Sequence, residues 1–257
     1  MSRYWTRALS TYMLVVLLAT IAKDYLPALP LPAELDRSEN VLWVTAHPDD
    51  ESFFFAPTIL NLLQQKPRRG ALLCLSTGNH EGLGSERIGE LELSCARLGI
   101  SSDRCVALDV PHLQDEPGVW WEAAEIHAQL QKWIAAWQPD AIVTFDAYGV
   151  SGHVNHRAIG SAMRAAAQTG EYPPIYAVDS TSIFAKFTSV FLLPFVVLRQ
   201  TLVNTRREDA AVFVNSIGQY RLTRASFHAH QSQARWFRTL FVSFSRYLWY
   251  VSVSRVG

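Results

Sequence analysis

The chain has 257 residues, which is long enough to bury a substantial core in one α/β domain. Its 23 Lys and Arg residues equal its 23 Asp and Glu residues, so the formal net charge is zero. A nucleic-acid-binding protein normally carries a strongly basic domain, and the balance argues against that class. Apolar residues make up 49% and charged residues only 18%, a more hydrophobic composition than a purely soluble enzyme needs.

An apolar segment without charges lies near the N-terminus, at residues 8–22. Together with the aromatic residues just before it, this segment is barely long enough to cross a bilayer, which takes about 20 residues. A cleaved signal peptide and a buried helix are the alternatives, because both also use a short apolar run. We interpret residues 1–24 as a membrane anchor and the proline-bearing residues 25–40 as an extended linker.

The three cysteines, Cys74, Cys95 and Cys105, bear on the cellular compartment. They form no CxxC motif, Cys74 lies in an apolar run, and Cys95 falls on the apolar face of an expected helix. We therefore expect buried free thiols, which favour a reducing compartment on the side of the folded domain. The basic residues that flank the apolar segment favour the opposite orientation, by a margin of one residue.

Apolar runs and helical patterns alternate from residue 41 onward. The pattern predicts strands at 41–45, 71–76, 105–108, 141–145 and 175–178, and helices at 51–65, 85–98, 121–137 and 155–168. Strands that alternate with helices form a largely parallel sheet covered on both faces, so we expect a Rossmann-like α/β fold.

Polar clusters follow three of the predicted strands directly, at residues 47–51, 77–81 and 146–156. In open α/β sheets, ligands bind at the carboxyl ends of the strands. The three clusters therefore converge on one edge of the sheet, and we expect the functional site there.

The first and third clusters contain the residue types of a metal site. Residues 46–51 hold one imidazole and three carboxylates, and residues 153–156 hold two more imidazoles. A catalytic zinc ion keeps three protein ligands and one open position, and two histidines with one carboxylate form such a set. A helix cap made by Asp49 or Asp50 is the alternative reading of the first cluster. The convergence of both clusters on one edge favours the metal site.

The sequence resembles the LmbE-like zinc deacetylases at residues 46–51 and 153–156. Longer strings resemble one branch of them, the N-acetylglucosaminylphosphatidylinositol de-N-acetylases of the glycosylphosphatidylinositol (GPI) anchor pathway. These strings run in order from about residue 41 to about residue 248 and include TAHPDDE, FFFAPT, CARLGI, DEPG, VTFDA, GVSGH and HQSQ.

The resemblance implies a role for each residue of the two short strings. His47, Asp50 and His156 would hold zinc. Asp49 would be the general base that takes a proton from the attacking water. His153 would be a protonated imidazole that stabilises the oxyanion of the transition state.

One position departs from the pattern of the wider family. Many members carry Asp where this chain has Asn155, and that carboxylate would orient or charge the neighbouring histidine. Asn155 cannot do so electrostatically. We expect Asp146 to be the partner of His153 instead.

Three further residues are expected near the site. The resemblance implies that Arg87 contacts the substrate, and a solvated residue in the first turn of a helix is the alternative for it. His230 and Gln233 match another string of the family, and we expect them to support the site from behind.

The resemblance also implies an activity and a location. The activity is hydrolysis of the N-acetyl group of N-acetylglucosaminylphosphatidylinositol, with Zn2+ as cofactor and iron, cobalt or manganese as alternatives. The location is the endoplasmic reticulum membrane, with a single-pass anchor and the catalytic domain facing the cytosol. The alternatives are a deacetylase of a soluble N-acetylglucosamine conjugate and a membrane scaffold without catalysis.

Two late segments suggest contact with membrane lipid. We assign residues 41–234 to the deacetylase domain and residues 235–257 to an amphipathic tail, whose basic face lies opposite an aromatic one as in helices at a membrane interface. A terminal helix packed on the domain is the alternative. For the apolar residues 183–198, which include Lys186 and Pro194, a surface hairpin and a membrane-dipping element both remain open.

Overall fold

The computed structural model describes residues 2–22, 29–203 and 209–257. The strands are β1 (Asn40–Thr45), β2 (Arg69–Cys74), β3 (Cys105–Ala107), β4 (Ala141–Phe145), β5 (Ile175–Val178), β6 (Ala210–Val214) and β7 (Tyr250–Arg255). The helices are α1 (Ser2–Ala22), α2 (Ala33–Arg37), α3 (Ala56–Gln65), α4 (Gly84–Leu98), α5 (Ala123–Trp137), α6 (Val154–Thr169), α7 (Ile183–Lys186), α8 (Leu193–Val203), α9 (Ile217–Phe227) and α10 (Trp236–Phe244).

The strands form one sheet in the order β3-β2-β1-β4-β5-β7-β6. The five strands from β1 to β5 pair in parallel, as the alternation of strands and helices predicts. β1 lies between β2 and β4 and is buried along its whole length, which is why its sequence reads as a nearly continuous apolar run. The expected α/β class with a largely parallel sheet is confirmed.

The last strand corrects the boundary predicted near the C-terminus. β7 pairs antiparallel with both β5 and β6, so it is an internal strand of the sheet. Residues 250–255 therefore belong to the folded domain and not to a separate tail, and only α10 has the amphipathic helical character expected of residues 235–257. The sequence of β7, YVSVSR, alternates with the period of two that a strand requires.

The N-terminal region differs in part from its prediction. Residues 2–22 form α1, whose ring of Tyr12 lies 6.2 Å from the ring of Phe195 on α8. Within residues 2–22, 29–203 and 209–257, no helix is long and apolar enough to cross a membrane. The predicted linker includes the short helix α2, while residues 25–28 of it lie outside the described residues.

The expectation of three free thiols is wrong for two of them. Cys95 on α4 and Cys105 on β3 form a disulfide, with their Cα atoms 6.4 Å apart. The apolar face of α4 packs against β3, which brings together two cysteines that carry no pairing signal in their spacing. Cys74 is buried and free, as expected. The argument from free thiols for a reducing compartment therefore loses its basis.

Candidate active site

A cavity of about 400 Å³ opens at the carboxyl ends of β1 and β4. The loop after β1 supplies His47, Asp49 and Asp50, and the start of α6 supplies His153 and His156. All five side chains expected at the centre of the site line this cavity. The two clusters meet because β1 and β4 are neighbouring parallel strands.

Three side chains form a compact metal-binding group in the floor of the cavity. His156 Nε2 lies 3.3 Å from His47 Nδ1 and 3.2 Å from Asp50 Oδ1, and Asp50 Oδ2 lies 3.8 Å from His47 Nδ1. Two imidazole nitrogens and a carboxylate this close together are a donor set that catalytic zinc uses. Ring nitrogens of His47, His153 and His156 also lie within 4.8 Å of one another, so His153 borders the same group.

The carboxylate of Asp50 is fixed by the backbone of its own loop. Its Oδ2 accepts hydrogen bonds from the backbone N–H groups of Ala46, at 3.0 Å, and His47, at 2.9 Å. Burial raises the pKa of Asp50, but the imidazoles of His156 and His47 outweigh burial and bring that pKa well below its usual range. Asp50 is therefore ionised, as a metal ligand must be.

Hydrogen bonds turn both imidazoles so that a lone pair faces the metal-binding group. His156 Nδ1 lies 3.0 Å from the carbonyl oxygen of Gly149, which leaves Nε2 as the free donor atom. His47 Nε2 lies 3.0 Å from Asn155 Oδ1 and 3.3 Å from Asp115 Oδ1, which leaves Nδ1 free. Such outer hydrogen bonds fix the tautomer of a ligating histidine.

These contacts give Asn155 and Asp115 roles that the sequence analysis did not assign. The side chain at the position where many family members carry Asp contacts His47, not His153. The carboxylate at that imidazole comes from Asp115, in the DEPG string, which follows β3 by several residues. From sequence, the DEPG string indicates only a resemblance to the family, because a lone carboxylate in a loop does not indicate a metal site.

Asp49 has a strained backbone, with φ of 130° at a residue that is not glycine. Its backbone N–H donates to Glu51 Oε2 at 2.9 Å, and Glu51 Oε1 in turn lies 2.6 Å from Nε2 of His230. Both members of this ion pair are fully buried. His230 therefore supports the loop from behind, where the sequence analysis expected support.

The side chain of Asp49 reaches into the cavity and meets Arg238 of α10. Arg238 Nη1 lies 2.5 Å from Asp49 Oδ2 and donates to Gln233 Oε1 at 3.0 Å. Burial raises the pKa of Asp49, and the guanidinium of Arg238 opposes this rise. Sequence reasoning missed this contact because the two residues are 189 positions apart.

Arg87 lines the cavity, but both terminal nitrogens of its guanidinium already contact protein groups. Its Nη1 donates to the carbonyl oxygen of Gly78 at 2.7 Å, and its Nη2 donates to that of Pro48 at 2.8 Å. Its Nη1 also lies 3.6 Å from Asp115 Oδ2. Arg87 therefore braces two loops of the site, and contact with substrate stays a prediction.

The structure does not bring Asp146 to His153. Asp146 accepts hydrogen bonds from the N–H groups of Tyr148 and Gly149 and from both the N–H and the hydroxyl of Ser180, so it closes its own loop. The expected partnership is wrong because a short polar side chain finds nearer donors in the turn that follows it.

The surroundings of His153 favour its neutral form. It is partly buried between two other imidazoles, with its ring centre 4.7 Å from that of His47 and 5.1 Å from that of His156. Burial, and then these two neighbours, lower the pKa of His153 to about 4. Its Nδ1 accepts the N–H of Asn155 at 3.4 Å as the cap of α6.

Comparisons with known proteins identify relatives of this chain. The family model described as PIG-L, GlcNAc-PI de-N-acetylase, matches residues 42–167. The N-acetylglucosaminyl-phosphatidylinositol de-N-acetylase of Bos taurus is 36% identical, over 81% of this chain and 80% of its own length. A probable enzyme of the same name from Schizosaccharomyces pombe is 32% identical, over 82% and 84%.

A solved structure supports the fold. The N,N'-diacetylchitobiose deacetylase of Pyrococcus horikoshii aligns with a TM-score of 0.59 and 16% identity, over 82% of this chain and 79% of that chain. On the family model, the two relatives and the fold together, this chain belongs to the PIG-L family of GlcNAc-PI de-N-acetylases.

Proposed function

We propose that this protein hydrolyses the N-acetyl group of N-acetylglucosaminylphosphatidylinositol, giving acetate and glucosaminylphosphatidylinositol in the GPI anchor pathway. The observation that carries the proposal is the convergence of Asp49 with the His47, Asp50 and His156 group in one cavity. The names of the relatives from cow and fission yeast supply the substrate.

The donor set of His47, Asp50 and His156 fits Zn2+, and we propose zinc as the cofactor. Zinc held there supplies a water molecule of lowered pKa and a positive charge that polarises the substrate carbonyl. The same two imidazoles and one carboxylate also accept iron, cobalt or manganese, so metal analysis of the purified protein has to identify the ion.

Asp49 is placed to move the protons of the reaction. Its carboxylate accepts a proton from the attacking water and gives that proton to the amine nitrogen as the C–N bond breaks, so the products are acetate and a free amine. Arg238 holds Oδ2 of this carboxylate, which leaves Oδ1 for the proton. The strained backbone at Asp49, secured through Glu51, keeps the carboxylate directed into the cavity.

His153 stabilises the developing oxyanion as a neutral donor. Because its Nδ1 accepts the N–H of Asn155, the ring proton lies on Nε2. A hydrogen-bond donor placed where negative charge develops typically contributes about 3 kcal/mol to the transition state. This role differs from the protonated imidazole that the sequence analysis expected.

The rim of the cavity suggests how a lipid-linked substrate reaches it. α7, the residue that follows it and α10 carry exposed apolar side chains, and the same helices supply Lys186, Phe237 and Phe241 to the cavity lining. The exposed side chains are Ile183, Phe184, Phe187, Trp236, Phe237, Leu240 and Phe244. The two parts are joined, since the N–H of Ser189 donates to the carbonyl oxygen of Phe244 at 2.7 Å. We name these seven side chains the apolar rim.

We propose that the apolar rim lies on the lipid of the endoplasmic reticulum membrane. Phe237 and Phe241 of α10 line the cavity itself, so the rim continues into the active site. Exposed apolar patches of this kind mark sites of interaction, and an enzyme for a soluble N-acetylglucosamine conjugate does not need one beside its active site, so the surface favours the membrane-linked substrate.

Acetate release from N-acetylglucosaminylphosphatidylinositol in vesicles tests the proposal. We expect the zinc-loaded protein to release acetate and Asp49→Asn to lose most of this activity while retaining its bound zinc. Full activity in Asp49→Asn, or a wild-type protein that acts on soluble N-acetylglucosamine conjugates but not on the lipid, would refute the proposal.

A further inference from the structure

Lys186, the last residue of α7, lines the cavity and is partly buried. Its Nζ lies 5.7 Å from the ring centre of Phe54, 5.7 Å from that of Phe241 and 5.8 Å from that of Tyr247. The ammonium donates one hydrogen bond, to the carbonyl oxygen of Val150 at 3.3 Å. An ammonium has three N–H donors, so this contact does not exhaust its capacity.

Lys186 differs from the other two basic residues that line the cavity. Arg87 and Arg238 also line the cavity, but they pair with Asp115 and Asp49. Among residues 2–22, 29–203 and 209–257, no ion pair of Lys186 is found. Burial lowers the pKa of Lys186, the direction expected where no anion offsets the loss of water around an ammonium. A cation without an anion in a ligand cavity indicates that the ligand supplies the anion.

Lys186 stands between the metal-binding group and the apolar rim. One ring separates the ammonium from the metal side, because the ring centre of Phe54 also lies 6.0 Å from that of His156. On the other side, the residues next to Lys186 in α7 belong to the rim, and Phe184 there is 86% exposed.

The carboxylates of the cavity repel a phosphate from its floor. Asp49, Asp50 and Asp115 all lie at the metal side, whereas Lys186 lies toward the rim. The proposed substrate has the same order of parts: an acetamido sugar, an inositol ring, a phosphodiester and two acyl chains. A cation is therefore present where the phosphodiester falls when the acetamide is at the metal-binding group and the acyl chains are at the rim.

We propose that Lys186 binds the phosphodiester of the membrane-linked substrate and so selects phosphoinositol-linked sugars over uncharged ones. The proposal rests on the proposed function, whose substrate carries this group. Lys186 lies outside the segment 42–167 that the family model matches.

The test uses the full chain and two water-soluble substrates that share the N-acetylglucosaminyl-inositol part. One carries glycerol in phosphodiester linkage to the inositol, and the other has a free hydroxyl there. We expect Lys186→Met to raise KM about tenfold for the phosphodiester substrate, the usual effect of one lost charge-assisted hydrogen bond. The value of kcat for both substrates and KM for the uncharged one should stay unchanged.

Two variants serve as controls. Lys186→Arg retains the positive charge and should keep KM for the phosphodiester substrate close to that of the wild type. Lys132→Met removes an exposed lysine of α5 far from the cavity lining, and it should leave both substrates unaffected.

Two results would overturn the proposal while the proposed function stands. Equal losses on both soluble substrates would mean that Lys186 only supports the loop through Val150. A loss restricted to substrate in vesicles would mean that Lys186 meets the headgroups of other lipids. A wild-type protein that releases acetate from neither soluble substrate nor from the lipid would instead refute the proposed function.

Discussion

Asp49 depends on the buried ion pair of Glu51 and His230, neither of which lines the cavity. Its backbone has φ of 130°, a conformation that costs about 1–3 kcal/mol and persists only where neighbouring groups enforce it. Glu51 enforces it by accepting the N–H of Asp49, and Ser94 and His230 hold Glu51 in place. The third carboxylate of the AHPDDE string is thus structural, although it is the same residue type as the two before it.

We expect His230→Ala to destabilise the fold strongly. It leaves the carboxylate of Glu51 buried without its partner, and breaking a buried ion pair typically costs about 3–5 kcal/mol. Urea unfolding of the two proteins measures the loss of free energy. His228→Ala is the matched control, because His228 is exposed on the same turn and should change the stability by less than about 0.5 kcal/mol. Equal stabilities of the two variants would contradict the role assigned to His230.

At the scale of elements, the parallel half of the sheet could be predicted from the sequence and the antiparallel half could not. The strands from β1 to β5 alternate with helices, and each is short, apolar and followed by polar residues. The residues of β7 alternate as in a strand, but they follow an aromatic stretch with helical spacing. The helical pattern of that stretch hides the start of the strand. Its partners β5 and β6 come earlier in the chain, and periodicity carries no information on such pairing.

The contacts of the site also divide into those that the sequence predicts and those that it does not. The metal-binding group was predictable because its members follow neighbouring parallel strands, and the edge at which such strands end is known in advance. The contacts of Asp49 with Arg238 and of Lys186 with Phe241 join elements that are distant in sequence. The predicted partnership of Asp146 with His153 is wrong for a simpler reason: the carboxylate of Asp146 already accepts hydrogen bonds from Gly149, in the turn after β4, and from Ser180.

Gly160 controls how closely α6 approaches the turn after β4, which contains Asp146. A Cβ on Gly160 would collide with the backbone carbonyl of Asp146, and backbone atoms cannot yield without moving the loop. We expect Gly160→Ala to cost about 1–3 kcal/mol of stability and to weaken zinc binding, because the shift displaces His156. Thermal unfolding and metal titration measure the two effects.

The control for this variant is Gly89→Ala on α4. Gly89 is exposed and a Cβ there meets no atom within 4 Å, so the substitution should stabilise the helix by about 0.5–1 kcal/mol. A Gly160→Ala protein that is as stable as the wild type and binds zinc as tightly would show that α6 tolerates a wider separation from the turn.

The apolar rim can be tested on α10. Trp236 is 77% exposed and Phe244 is 53% exposed, so Trp236→Glu and Phe244→Glu should leave the fold intact. If the rim lies on lipid, each charge should weaken the binding of the protein to phosphatidylcholine vesicles severalfold in a sedimentation assay. Leu93→Glu places the same charge at a residue of α4 that is 57% exposed and outside the rim, and it should bind like the wild type. Equal losses in all three variants would contradict the assignment of this face to lipid.

At the scale of the whole molecule, the metal-binding group exists only in the folded chain. His47 and Asp50 come from the loop after β1, whereas His156 lies more than a hundred residues later, and the pairing of β1 with β4 is what joins them. An unfolded chain therefore presents the three ligands separately. Because a metal that binds only the folded state stabilises it by mass action, the site and the global stability are linked.

We expect zinc to raise the free energy of unfolding of the metal-stripped protein, by about 2.7 kcal/mol when free zinc is 100 times its Kd. Asp49→Asn should show the same gain, since Asp49 is not among the ligands, and this separates metal binding from catalysis. Asp50→Asn should show little gain, because it removes the ligating charge while its side-chain oxygen can still accept the N–H groups of Ala46 and His47. Urea unfolding with and without zinc measures all three. An equal gain in Asp50→Asn would move the metal to the three histidines that also converge there, His47, His153 and His156.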